Sequence, residues 1–236
     1  MIDNAYVITL KDDEISNECA DKLIESSRSV NNEFEIIKFD AITSDRVVSL
    51  MTLHNLKWNY PMSAPVLDMQ TGLWKHPYVT AVTEKRIACF LSHYLLWQKC
   101  AKSEDGMFIF EHDAMFIKRI DKTMLNKSSF DIIALNDPRG ATRKASDYYQ
   151  AVKLRLPEKI IPVPKIDQDQ IPQGLPGNSA YYIKPEGAIR LLSLVREFGA
   201  WPNDAIMCRQ LMPKKLGIVT DFCTKVQGIK STTTNA

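Results

Sequence analysis

Short apolar runs and longer amphipathic stretches alternate along the first part of the chain. Residues 6–10 form an apolar run that predicts a first strand, and residues 17–27 carry apolar side chains at helical spacing. A second apolar run covers residues 34–39 and ends at Asp40. A strand, a helix and another strand in this order form a parallel pair, so the opening predicts an α/β fold built on a parallel sheet.

The rest of the chain continues this pattern. Residues 84–99 show the strongest helical period, and apolar runs predict strands at residues 107–110, 130–135, 180–183 and 217–219. Pro185 suits the first turn of a further helix, and a short helix is expected to open at Asn203 as its N-cap. Residues 47–80 and 147–176 are interrupted by prolines and are expected to be irregular, with room for short helices in the first segment. Because neither a repeat nor a linker separates two units, we expect one domain.

A bulky apolar run at residues 108–110 stops at Glu111, His112 and Asp113. A run this short predicts a buried strand, and open α/β sheets bind ligands at the carboxyl ends of their strands. Because alternate strand residues share a face, Glu111 and Asp113 are expected to point one way and His112 the other. Two carboxylates on one side suit Mg²⁺ or Mn²⁺ holding a phosphate. The alternative interpretation is that these acidic residues begin a solvated loop.

Composition limits the class of protein. With 236 residues, 45% of them hydrophobic, the chain can form a sizeable core. No segment approaches the ~18 consecutive apolar residues of a membrane span, and a soluble, cytoplasmic protein is expected. The five cysteines are scattered without a CxxC pair, which favours reduced packing thiols over disulfides or structural zinc. They are Cys19, Cys89, Cys100, Cys208 and Cys223.

Charge is unevenly distributed, although the net charge is only +2. Between residues 136 and 165 the basic residues outnumber the acidic ones. Such a segment suits an anionic substrate, membrane headgroups or nucleic acid, and a solvated loop of mixed charge is the other interpretation. The basic residues are Arg139, Arg143, Lys144, Lys153, Arg155, Lys159 and Lys165.

The order of these elements, with particular residues in each, resembles glycosyltransferase family 25, which includes bacterial lipooligosaccharide galactosyltransferases and collagen galactosyltransferases. The resemblance spans nearly the whole chain, and the ordered spacing of its motifs is more specific than any one of them. The matching stretches are Val7–Leu10, Phe39–Ile42, Ile87–His93 with Trp97, Phe110–Ala114, Ser179–Ile183 with Gly187–Ala188, and Pro202–Asp204.

This resemblance implies a GT-A fold, which is a Rossmann-like three-layer α/β/α sandwich with a mostly parallel central sheet. It implies a single domain over residues 1–236, with a nucleotide-binding part at about 1–135 and an acceptor-side part at about 136–236. It further implies a nucleotide-sugar donor, expected to be UDP-linked, a divalent metal ion, Mn²⁺ or Mg²⁺, and transfer of the sugar with inversion.

The resemblance and the strand-end argument together assign roles to individual residues. Asp113 is the expected metal ligand with Glu111 beside it, and Glu111 is also a catalytic candidate. Asp204 is the expected base for the attacking hydroxyl, although an aspartate in the first turn of a helix also complements the helix dipole. Tyr181 and Trp201 are candidates for stacking on a sugar ring. The nucleotide is expected near Thr9, Leu10, Asp40, Ile42, Ser92 and His93.

Two positions depart from the family pattern. His112 stands where an aspartate is usual, which replaces a carboxylate by an imidazole. Lys85 and Arg86 stand where the family has Gly-Glu, which replaces an acid by a base and leaves the donor preference open. His93 also admits a second interpretation, as a core histidine between apolar neighbours on its helix.

Three functions stay open at this point. The first is an inverting, metal-dependent glycosyltransferase that acts on lipooligosaccharide, in the cytoplasm or peripherally at the inner membrane face. The second keeps this chemistry but has DNA with hydroxymethylated bases as acceptor, as in a phage-infected cell, and the basic segment is compatible with it. The third is a catalytically silent GT-A module that binds a sugar or a partner protein, which His112 permits.

Overall fold

The computed structural model describes residues 4–78, 80, 82–142 and 144–229. Its helices are α1 (Glu14–Ser29), α2 (Val47–Leu53), α3 (Thr83–Cys100), α4 (Lys122–Lys127), α5 (Ala145–Lys153), α6 (Pro185–Phe198) and α7 (Asn203–Ile206), with a short 3₁₀ helix at Ser44–Arg46. Its strands are β1 (Asn4–Thr9), β2 (Ile36–Asp40), β3 (Val66–Asp68), β4 (Leu73–Lys75), β5 (Met107–Glu111), β6 (Ala114–Phe116), β7 (Ile132–Ala134), β8 (Ile160–Pro162), β9 (Ala180–Ile183), β10 (Leu216–Val219) and β11 (Thr224–Val226).

Across the described ranges, seven strands form the central sheet in the order β2-β1-β5-β9-β7-β10-β8. Parallel pairs join β1 to β2, β1 to β5 and β7 to β10, whereas β9 and β8 run antiparallel to their neighbours. Most strands of the sheet therefore share one direction, and the predicted α/β class with a mostly parallel sheet is confirmed. Strand β9 comes after residue 135 in the chain. In the sheet, however, it lies between β5 and β7, which both come before residue 135.

The path of the first strands creates a crevice. The chain passes from β1 through α1 to β2 on one side, and then returns across β1 through α3 to β5 on the other. Such crossovers are right-handed, so two crossovers that move in opposite directions along the sheet put their helices on opposite faces. Helices α1 and α3 therefore cover opposite faces of the sheet. A ligand crevice opens where the strand order reverses, at the carboxyl ends of β1 and β5. Ile8 lies opposite Glu111 in this register, so Glu111 stands at that edge.

Bulky side chains of α3 and β5 form the centre of the core. Trp97, Phe108 and Phe110 are buried, and every residue of β7, β9 and β10 is buried as well. This pattern is typical of strands that are covered on both faces. Helix α6 packs against α3, and Gly187 allows it to approach β7, since a Cβ at this position would lie 2.8 Å from the Asp131 carbonyl oxygen.

Several predicted boundaries differ from the structure. Helix α1 begins at Glu14 because the Asp13 carboxylate accepts the Ser16 amide at 2.7 Å and caps the helix there. Asn203 is the first residue of α7 and does not cap it, since Pro202 occupies the N-cap position. The segments expected to be irregular contain short ordered elements: α2, β3 and β4 in the first, and α5 and β8 in the second.

Candidate active site

An open cleft of about 730 Å³ lies at the carboxyl ends of the first strands. Leu10 follows β1, Ile42 follows β2 and Glu111 ends β5, so three neighbouring strands each supply a lining residue. Residues 177–179, which lead into β9, and the start of α7 also line it. The cleft therefore lies at the crevice that the reversal of strand order opens, and its volume suits a small-molecule ligand.

A buried hydrogen-bond chain holds His93 beside the cleft. The Trp97 indole N–H donates to the Tyr181 hydroxyl oxygen at 2.9 Å, and this oxygen lies 2.8 Å from His93 Nδ1. Because the Glu111 carboxylate can only accept, the neutral His93 ring carries its proton on Nε2 and donates it to Glu111 Oε1, 3.1 Å away. Nδ1 is then free to accept the hydroxyl proton of Tyr181.

Glu111 is kept as a carboxylate by this arrangement. Burial alone would raise its pKa, but the hydrogen bond from His93 and the charge of Arg86, to which His93 and His112 add when they are protonated, lower the pKa below its usual value. Glu111 therefore supplies a fixed negative charge at the end of β5.

His112 lies in the turn after β5 and not within the strand. Residues 112 and 113 form a turn between β5 and β6, so the alternation of strand side chains ends at Glu111. Glu111, His112 and Asp113 all line the same cleft, so the strand alternation on which the prediction for His112 rests does not extend past Glu111. Burial lowers the pKa of His112, which favours the neutral ring at physiological pH.

Asp113 has the features of a ligand-binding carboxylate. Its Oδ1 is buried and has no hydrogen-bond partner among the described residues. Burial, followed by the charge of Glu111, raises its pKa to about 7, although a hydrogen bond from Ser179 acts in the opposite direction. A buried oxygen without a partner is costly unless a bound group satisfies it. The hard oxygens of Asp113 and Glu111 fit the divalent metal ion that the sequence resemblance implies.

Asp204 lies in a second polar corner of the cleft. Burial raises its pKa, while the charge of Arg86 and a hydrogen bond from the Tyr78 hydroxyl lower it less strongly. The Arg86 guanidinium stacks on the Tyr78 ring, with Cζ 4.7 Å from the ring centroid. Within the part of the chain that the structure describes, Asp204 Oδ1 and Arg86 Nε are both buried without partners. The Asp204 carboxylate and the Arg86 guanidinium thus face the cleft together.

Asn178 is a site residue that the sequence did not reveal. It is buried, it lines the cleft, and neither its amide nitrogen nor its amide oxygen has a partner in the described ranges. Gly177 before it has a φ of 95°, and a Cβ there would lie 2.5 Å from the Ala141 side chain. Ser179 after it accepts the Glu111 amide at 2.9 Å through its carbonyl. A Gly-Asn-Ser segment before a strand carries no recognisable motif, so only the structure could reveal it.

The structure brings together most of the residues predicted for the site. Those that line the cleft are Leu10, Ile42, Ser92, His93, Glu111, Asp113 and Asp204. Ser92 holds this wall in place, because its hydroxyl accepts the Ile42 amide at 2.9 Å and donates to the Ala88 carbonyl. The remaining predicted residues, Thr9, Asp40, Tyr181 and Trp201, do not line the cleft.

Each of these four residues lies elsewhere for a physical reason. Thr9 is buried, and its hydroxyl donates to the Val7 carbonyl. Asp40 is exposed, 3.7 Å from the Lys11 ammonium. Tyr181 is fully buried beneath His93, and Trp201 is fully buried. Neither ring therefore offers a face to a sugar in this structure.

The basic segment is largely neutralised by acidic neighbours. Ion pairs join Arg139 to Asp137, Lys144 to Asp167, Arg155 to Glu158 and Lys165 to Asp169. Lys153 donates to the Thr220 carbonyl, and Arg143 lies outside the described residues. This pairing gives no specific support to a nucleic-acid interface.

Comparison with known proteins identifies the class. Residues 2–207 match the family described as glycosyltransferase family 25 (LPS biosynthesis protein). This match covers most of the chain, so the chain belongs to glycosyltransferase family 25.

The individual proteins that resemble this chain match it over a short stretch or at low sequence identity. The lipooligosaccharide biosynthesis protein lic2B of Haemophilus influenzae is 51% identical over 43 residues, which are 17% of this chain and 16% of that protein. Among solved structures, mouse xyloside xylosyltransferase 1 has 12% identity and a TM-score of 0.47, covering 92% of this chain and 85% of its own. The bifunctional glycosyltransferase WbbM has 13% identity and a TM-score of 0.42, covering 91% of this chain and 38% of its own. Within the described ranges, no helix combines the length and the hydrophobicity that crossing a bilayer requires.

Proposed function

We propose that this glycosyltransferase transfers a sugar from a UDP-linked donor to a hydroxyl group of a glycolipid acceptor such as lipooligosaccharide, with inversion and with a divalent metal ion. One observation carries the proposal: Asp113 and Asp204 each present a buried, unpartnered carboxylate oxygen in the cleft at the sheet's reversal point. The acceptor class is supported by the family description and by the printed name of the lic2B relative.

Asp113 is the residue we assign to the metal ion, with Glu111 as its neighbour. When bound, Mn²⁺ or Mg²⁺ would supply Lewis-acid stabilisation of the charge that develops on the leaving diphosphate. The chain's own contribution is to hold two carboxylates at fixed places. The Ser179 contact holds Asp113, and the His93 hydrogen bond holds Glu111 in its charged form.

Asp204 is the residue we assign as general base. Inversion requires a base on the side of the sugar opposite the leaving group, where it accepts the proton of the attacking hydroxyl. The raised pKa of Asp204 makes its carboxylate a stronger proton acceptor than an exposed aspartate. Tyr78 hydrogen-bonds this carboxylate, and Arg86 balances the charge around it.

Asn178 is the residue we assign to the donor sugar. A primary amide can both donate and accept, which matches the hydroxyl groups of a sugar ring. The nucleotide is assigned to the wall formed by Leu10 and Ile42, whose position Ser92 fixes. Binding there would bring the diphosphate towards Asp113.

Ligand-induced stabilisation tests this proposal directly. The thermal unfolding of the protein is followed with UDP, GDP, CDP and their sugars, each with and without Mn²⁺, since a ligand of the native state raises its stability. We expect a metal-dependent increase with UDP compounds that Asp113→Asn abolishes. The matched control, Asp12→Asn, changes an exposed aspartate in the turn that follows β1 and should retain the increase. The absence of any increase in the wild type, or an undiminished one in Asp113→Asn, would contradict the proposal.

A further inference from the structure

Three metal-binding side chains of different chemistry meet at the inner end of the cleft. Cys89 Sγ, a ring nitrogen of His93 and a carboxylate oxygen of Glu111 all lie within 4.8 Å of one another. Cys89 and His93 are four residues apart on α3 and so share one face of the helix. Glu111 reaches the same point from the end of β5. Two rigid elements therefore fix all three ligands.

The donor set distinguishes this cluster from the site assigned to Asp113. Mg²⁺ and Mn²⁺ prefer oxygen ligands, whereas a thiolate, an imidazole and a carboxylate together suit Zn²⁺ and other thiophilic ions. Zinc sites that keep an exchangeable position use three protein ligands and leave the fourth open. All three side chains line the cleft, so the cleft itself could supply that fourth position.

The surroundings of His93 suit a metal ligand once its ring proton has moved. A histidine that binds metal through one ring nitrogen usually donates the other N–H to a fixed partner. His93 Nδ1 lies 2.8 Å from the Tyr181 oxygen, and Tyr181 is itself fixed by the Trp97 indole. Moving the ring proton from Nε2 to Nδ1, with the Tyr181 hydroxyl proton turned away, would free Nε2 for a metal ion without moving the ring.

We propose that Cys89, His93 and Glu111 form a cation site selective for thiophilic divalent ions such as Zn²⁺, which differs in its ligands from the magnesium or manganese site assigned to Asp113 but shares Glu111 with it. Binding there replaces the Cys89 S–H contact to Asn203 Oδ1, now 3.7 Å long, and the His93 hydrogen bond to Glu111. The thiol proton leaves to solvent, and the ring proton of His93 moves from Nε2 to Nδ1, so the imidazole stays neutral. Because the ion takes Glu111, we expect Zn²⁺ to inhibit sugar transfer. The binding itself does not depend on the proposed transferase function.

Cadmium titration of the intact protein tests this site, because a cadmium–thiolate bond gives an ultraviolet charge-transfer absorption. The wild type should show the band, saturating at equimolar Cd²⁺, and Zn²⁺ should displace the ion where excess Mg²⁺ does not. Cys89→Ser should abolish the band. Cys100→Ser is the matched control, since Cys100 is a buried thiol on the same helix whose Sγ contacts the Ile183 carbonyl. It should leave the band unchanged.

Two further variants keep the test decisive if Cys89→Ser does not fold. Glu111→Gln keeps the side-chain volume, and Tyr181→Phe removes only the hydroxyl behind His93. Each should weaken Cd²⁺ binding by at least about tenfold, as the loss of a ligand or of its supporting hydrogen bond does elsewhere. A wild type without the band, a band that persists in Cys89→Ser, or unchanged affinity in both other variants would overturn the proposal.

Discussion

Replacing Asp113 by asparagine should stabilise the metal-free protein at neutral to alkaline pH. The substitution keeps the shape of the side chain but removes a carboxyl whose ionised form is unfavourable in the cleft, because burial and the charge of Glu111 oppose it. The pKa rises from its usual 3.8 to about 7. The folded protein therefore binds this proton more tightly than the unfolded chain does.

The sign and size of the effect follow from linkage. A carboxyl with a raised pKa in the folded state contributes stability below its unfolded pKa, and this contribution is lost as the pH rises through about 7. A tenfold change in a protonation equilibrium corresponds to about 1.4 kcal/mol, so the upper limit is about 4 kcal/mol. Because the cleft is open to solvent, we expect screening to reduce it to about 1–2 kcal/mol.

Urea unfolding with a metal chelator present measures this difference. At about pH 4, near the unfolded pKa, the wild type and Asp113→Asn should differ little, and at about pH 8 the variant should be more stable by about 1–2 kcal/mol. Asp12→Asn should follow the wild type at both pH values. Adding Mn²⁺ should then stabilise the wild type but not Asp113→Asn. A difference between the two proteins that does not change with pH would refute the reasoning about Asp113.

Other substitutions test the packing and the sugar assignment. Lys75→Met removes one partner of a buried ion pair, in which Lys75 Nζ lies 2.6 Å from an Asp68 carboxylate oxygen. The free energy of unfolding in urea should fall by about 3–5 kcal/mol, and a loss under about 1 kcal/mol would contradict this expectation. Gly187→Ala forces α6 away from the Asp131 carbonyl and should cost about 1–3 kcal/mol in the same assay; a neutral result would mean that α6 shifts freely. Asn178→Ala should weaken binding of the nucleotide sugar but not of the nucleoside diphosphate in calorimetric titrations, and equal weakening of both would remove Asn178 from the sugar site.

The sequence located the cleft because its signals are local. The apolar run before Glu111 indicates a strand end directly, and the β-α-β opening indicates which edge of the sheet carries ligands. The helical period of residues 84–99 likewise predicts α3 to within one residue at each end. These features depend on neighbouring residues and not on distant contacts.

Other features depend on contacts between distant parts of the chain. The apolar run of β9 shows that it is a buried strand but not that it runs antiparallel between β5 and β7. That position buries Tyr181 under His93. The sequence pattern alone would equally allow Tyr181 to face a ligand. The turn at residues 112–113 ends the alternation of side chains at Glu111, and strand alternation by itself cannot show where a strand ends. No periodic pattern in the sequence marks Asn178, because its proposed role follows from side-chain amide atoms that have no hydrogen-bond partner among the described residues.

Turnover of nucleotide sugars tests the central claim most directly. Nucleoside diphosphate release is measured with UDP-sugars, a lipooligosaccharide acceptor and Mn²⁺, for the wild type and Asp204→Asn. The account predicts metal-dependent release by the wild type and its loss in Asp204→Asn, while that variant still binds the donor. Undiminished release by Asp204→Asn, or release that needs no divalent ion, would contradict the account.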